Sequence, residues 1–148
     1  MTRIDFHFNV PDKLHYACRL VRKAVGKTAS VVITGTQEQL VQLDDMLWHL
    51  SPTDFVGHAW HAQDTAPEQA SELACARVWL STTPEHCQRH DLLVNLSDMV
   101  VAGFEQYERL IEVVSVEEQD RQHARKRWRH YATRGYTIAQ HAVRAASN

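Results

Sequence analysis

Ile4-Asp5-Phe6-His7-Phe8-Asn9-Val10 sets apolar residues at every second position with polar ones between them. That is the period of a half-buried β-strand, and Pro11-Asp12 ends it. Directly after, Leu14, Ala17, Cys18, Val21, Ala24 and Val25 recur at helical spacing as far as Gly26, which suits a helix C-terminal cap. Val31-Val32-Ile33 is then a short continuous apolar run, as in a strand buried on both faces. Leu40, Leu43 and Leu47 trace a second helix. Strand, helix, strand, helix is the opening of an α/β fold.

Working outward from that block, Arg77-Val78-Trp79-Leu80, Leu92-Leu93-Val94-Asn95-Leu96 and Leu110-Ile111-Glu112-Val113-Val114 are further strand candidates. A short helical piece is expected near Phe104 and Tyr107. Residues 61–72 lack periodicity and aromatics and read as a surface loop. A last long helix is expected from Ser115-Val116-Glu117-Glu118, where serine followed three residues later by glutamate forms a capping box, with Gly135 as its stop. Strands recurring among helices predict one α/β domain over residues 1–148, a mostly parallel sheet covered by helices on both faces.

The composition agrees with a folded domain: 148 residues suffice for one core, 44% are hydrophobic and 23% charged. Met1-Thr2-Arg3-Ile4-Asp5-Phe6-His7 places charge and histidine where a signal peptide needs an apolar run, and no window approaches a spanning helix. A cytoplasmic protein without membrane association is expected. Cys18, Cys75 and Cys87 are odd in number and widely spaced, which suits reduced thiols. Net charge is −2, yet residues 121–134 carry six arginines and lysines and no acid. A basic helix on an acidic body is a local docking site.

Three motifs offer chemistry and fall short of it. Gly26-Lys27-Thr28 ends like a phosphate-binding loop, but Val21 stands where the motif needs its first glycine, and the helix precedes the turn instead of following it. No functional P-loop and no cofactor are therefore expected. His58 with His61, and His86 and Cys87 with His90, are close enough to share an ion, but no second pair completes a tetrahedral set, so no metal is expected. No serine occupies a Gly-x-Ser-x-Gly elbow, and the carboxylate pair Asp44-Asp45 reads as solvated helix surface. The chain is expected not to be an enzyme.

The last helix is more informative. Arg121, Ala124, Arg125, Trp128 and Tyr131 share one helical face. The plain reading packs Trp128 and Tyr131 into the core and leaves the arginines in solvent. Both readings hold together when an aromatic at the core's edge floors a shallow pocket with an arginine rim. Such a pocket suits an apolar ring beside a carboxylate, which guanidinium grips with two hydrogen bonds.

Ala124-Arg125-Lys126-Arg127-Trp128-Arg129-His130-Tyr131 followed by Gly135-Tyr136 resembles the closing helix of the chi subunit family of DNA polymerase III. Leu43-Asp44-Asp45-Met46-Leu47-Trp48 with Phe55-Val56 and His58 is similar to a second block of that family, and Asp91 to Leu96 and Phe104 to Val114 fit as well. The resemblance implies a Rossmann-like fold without nucleotide chemistry and a non-catalytic adaptor role in the replicase. It implies binding of the acidic C-terminal tail of single-stranded-DNA-binding protein, which ends in proline and phenylalanine, through Val114, Arg121, Arg125 and Trp128. Trp128 stands where the family commonly has tyrosine, keeping the aromatic wall while changing pocket size. The resemblance further implies a second partner at Trp48 and Phe55, a psi subunit or another clamp-loader or helicase component, with Gly57 where a proline is familiar. From another class, a nucleic-acid-binding module using the basic helix on phosphates is the competing expectation, separable by its salt dependence.

Overall fold

A computed structural model describes residues 2–24, 30–48, 58–60, 78–86 and 91–143. Its elements are β1 (Arg3–Val10), α1 (Lys13–Ala24), β2 (Val31–Thr34), α2 (Gln37–Trp48), β3 (His58–Trp60), β4 (Val78–Leu80), β5 (Leu92–Asn95), β6 (Arg109–Ser115), α3 (Glu118–Thr133) and β7 (Ile138–Ala142). Two 3-10 turns, Pro84–His86 and Phe104–Gln106, lie before β5 and β6. The seven strands form one sheet in the order β3-β4-β2-β5-β6-β1-β7, and every pairing is parallel. The fold is α/β, as the opening block predicts.

Both sheet faces are covered. Ala17, Cys18 and Val21 of α1 and Leu40 and Leu43 of α2 pack on Val31, Ile33, Val94, Ile111 and Val113. On the opposite face Ala124 and Tyr131 of α3, with Phe104 of the second 3-10 turn and Tyr107 just after it, cover Ile4, Phe6, Leu93, Leu110 and Val114. Successive strand residues thus feed two cores, which is why the central strands β2 and β5 open with continuous apolar runs, Val31 to Ile33 and Leu92 to Val94. Burial pushes the Cys18 thiol up to about 11, aided by Asp12, so it behaves as a small core hydrophobe.

The helix starts are fixed by local hydrogen bonds. The amides of Leu14 and His15 donate to Asp12 Oδ1 at 3.1 and 3.2 Å, which caps α1. Thr36 and Gln39 exchange amide-to-side-chain bonds of 2.9 and 3.1 Å, a reciprocal capping box for α2. The box expected at the start of α3 does not form. Ser115 remains in β6, and the N-cap residue Glu117 has no side-chain cap bond. Asp120 reaches back instead and accepts the Ser115 amide at 2.7 Å. Half-burial alone would raise the Asp120 carboxyl, but that bond and Lys13 at 3.2 Å hold it below its usual value.

Three other expectations are corrected. The alternation of β1 breaks at Asn9, whose φ is 65°, and the register with β6 shifts between His7 and Val10. Val10 therefore joins the α1 side while Phe8 stays on the α3 side, 36% exposed. Strands β3 and β7 were not foreseen. The third correction concerns the basic helix: Arg127 is turned into the core and 2% exposed, so it is absent from the cationic surface. Gly26-Lys27-Thr28, the loop expected at residues 61–72, and Phe55 lie outside the described residues. No helix among the described residues is long and apolar enough to cross a membrane.

Candidate functional site

The site is built on the seat of α3. Glu112, inward-facing on β6 and fully buried, accepts hydrogen bonds from Asn95 Nδ2 at 2.9 Å, Arg127 Nε at 3.1 Å and the Tyr131 hydroxyl. Burial pushes the Glu112 carboxyl upward, while Arg127 and these donors pull it back down. Burial and the neighbouring carboxylate push the Tyr131 phenol up. A carboxylate under the middle of the helix thus anchors Arg127 and Tyr131, four residues apart on one face. With these two turned inward, the rotation of α3 is set. Arg121, Arg125 and Trp128 are left at the edge of the sheet.

There they line a cleft of about 250 Å³ together with Phe6, Phe8, Val114, Ala124 and Gln140. Val114, near the end of β6, is 2% exposed and lies at the base. Trp128 is half-buried on Phe6, with ring centroids 5.1 Å apart, and walls one side. Arg121 and Arg125 form the rim, both more than half exposed, and both pair with Glu118. Chemically the cleft offers an aromatic and aliphatic base under two guanidinium groups, which fits an apolar ring carrying a carboxylate.

All four residues assigned to the tail pocket come together here. Tyr131, placed on the same stripe by spacing, does not: it lies in the core on Glu112 and edge-on to Phe104. Phe8 and Gln140 were missed as site residues. Phe8 was legible as apolar but placed among buried positions, whereas it is 36% exposed at the mouth of the cleft. Gln140 carried no signal, because its position depends on β7 pairing beside β1, with Phe6 opposite Gln140. Trp48 ends α2, and its side chain, like Phe55 altogether, lies outside the described residues.

A second cleft of about 300 Å³ opens at the carboxyl ends of the strands, lined by Lys13, Thr36, Ser97, Asp98, Asp120 and His123 among others. Within it Lys13 meets Asp120 at 3.2 Å, and His123 Nδ1 lies 3.5 Å from Asp98. Among the described residues no three histidine, cysteine or acidic side chains come together as a metal site. The candidate histidine and cysteine groups fall mostly outside those residues.

Comparison with known proteins supplies a family. Residues 1–139 match the family described as DNA polymerase III chi subunit, HolC. DNA polymerase III subunit chi of Pseudomonas aeruginosa is 31% identical, with 97% of this chain and 98% of the relative covered. The subunit chi of Haemophilus influenzae is 25% identical over 86% of this chain and 85% of its own length. A match over nearly the whole sequence, joined to a seven-stranded parallel sheet that keeps the described part of the expected order, assigns the protein: this chain belongs to the DNA polymerase III chi subunit family, replication accessory subunits.

Proposed function

We propose that this chain is a non-catalytic, cytoplasmic adaptor of the replicase whose α3 cleft binds the C-terminal tail of single-stranded-DNA-binding protein. The observation that carries the reading is the convergence of Val114, Arg121, Arg125 and Trp128 on one cleft of about 250 Å³, apolar at its base and cationic at its rim. In this mechanism Arg125 pairs with the terminal carboxylate, Val114 and Trp128 enclose the phenylalanine ring, and Arg121 attracts the acids upstream. Phe8 and Gln140 complete the walls. Trp48 and Phe55 are proposed to meet the second partner, a psi subunit or another clamp-loader or helicase component.

Removing a charge-assisted contact at a partly desolvated site costs on the order of 2 kcal/mol, about thirtyfold in affinity. Calorimetry with a tail peptide should show that loss for Arg125→Ala. A comparable loss is expected when the peptide is amidated at its end. Arg121→Ala should cost less and flatten the salt dependence. Unchanged affinity for the amidated peptide, or for Arg125→Ala, overturns the reading.

One observation favours direct nucleic-acid binding instead: Lys126 and Arg129 on α3, and Arg134 at its C-cap, are exposed beyond the cleft. Binding through them would follow salt according to the number of phosphates neutralised, and it would survive loss of the cleft residues.

A further inference from the structure

The acid expected to cap α3 is turned the other way. Because Asp120 takes the Ser115 amide, Glu118 is released from the cap and lies outward, 63% exposed. Its Oε1 meets Arg125 Nη1 at 3.5 Å and its Oε2 reaches Arg121 Nη1 at 3.9 Å. These are the two guanidinium groups at the rim of the cleft. One internal carboxylate therefore sits on the same cations that the proposed ligand's carboxylate would use.

We propose that Glu118 is a built-in competitor for the cleft: it pairs with Arg121 and Arg125 in the free protein, and a bound peptide's terminal carboxylate displaces it. The inference rests on reading the cleft as a peptide site. Exposed pairs of this length are individually weak, so displacement is easy for a ligand held by a second contact. A ring buried against Val114 and Trp128 supplies that contact and keeps its carboxylate at high local concentration beside the rim. An anion with no apolar group to bury, such as a phosphate of a nucleic-acid backbone, meets arginines that Glu118 already contacts and brings no second contact to offset its displacement. Glu118 thereby lowers affinity for the intended peptide modestly, keeps it exchangeable, and discriminates against anions that touch only the rim.

The test is calorimetry at low salt on wild type, Glu118→Gln and Glu117→Gln, using an acidic peptide ending in proline and phenylalanine as free acid and as amide. Circular dichroism and thermal unfolding confirm that each variant keeps its helices. Glu117 controls for general charge, because it neighbours Glu118 but lines the other cleft. Glu118→Gln is expected to bind the free-acid peptide about threefold to tenfold tighter, the scale of two exposed pairs. The gain should shrink as salt is added. The amidated peptide should gain less than twofold, as should the free acid on Glu117→Gln. Equal or weaker binding by Glu118→Gln overturns the inference, and so does the same gain from Glu117→Gln. If wild type binds the peptide while Glu118→Gln leaves affinity unchanged, this inference alone fails. No binding by wild type removes the peptide reading and the inference with it.

Discussion

His7 illustrates how one position on a strand acquires a property its neighbours lack. Its Nδ1 is 2.5 Å from the Tyr16 hydroxyl, its ring stands 4.9 Å from that of His141, and its Nε2 is buried without a hydrogen-bond partner. Burial first, and the adjacent His141 second, push the imidazole down from 6.5 to about 4. The folded state therefore resists a proton that the unfolded chain accepts. Stability from this group is complete above about 6.5, falls as pH drops toward about 4, and is level below that. Urea unfolding between pH 7 and pH 4 should show His7→Gln with a shallower loss than wild type. Parallel curves for the two proteins would contradict this account.

Among the elements, α3 is the one whose placement decides the site, and its orientation depends on Glu112. The guanidinium of Arg127 bonds Glu112 through Nε, while its Nη1 and Nη2 are buried with no hydrogen-bond partner. Such a pair stabilises little by itself, because desolvation consumes most of the attraction, but removing one partner strands the other charge. Arg127→Met should cost about 3–5 kcal/mol near neutral pH, read from urea midpoints. Glu112 already has a raised pKa, and losing Arg127 raises it further. The penalty falls on the ionised carboxylate, so it should fade as pH falls through that raised value. A cost that stays constant with pH would mean that lost packing, and not the stranded charge, is responsible.

At the scale of the molecule, the cleft exists because two segments far apart in sequence close the edge of one sheet. β7 pairs in parallel with β1 from Ile4 opposite Ile138 to Phe8 opposite Ala142, and the amide of Val143 donates to the Phe8 carbonyl at 2.9 Å. Ending the chain after Thr137 would remove Gln140 from the cleft wall and leave β1 as an open edge. Unpaired edges lose backbone hydrogen bonds and invite association. The truncated protein is expected to unfold at a lower temperature, to form higher oligomers in size-exclusion chromatography, and to lose peptide affinity. Undiminished affinity with a normal melting temperature would show that the α3 side alone makes the site.

The sequence by itself determined the class of fold, since apolar periods of two and of about 3.6 are local and survive without knowledge of partners. It also determined which face of α3 carries the rim, because residues three and four apart lie together on any helix. Tertiary structure alone decided the rest. Spacing could not show that Arg127 turns inward, because the reason is a carboxylate on β6, fifteen residues away. The burial of Tyr131 was one of two readings of the stripe, and only the fold selected it; spacing could not show that Asp120 takes the cap position from Glu118 and leaves it facing the rim arginines. β7 is short, and its burial is partial at Ile138 and Ala139 and absent beyond. It has no strong period of its own and becomes a strand because β1 offers a free edge, which places Gln140 beside Phe6 and Phe8 at the mouth of the cleft.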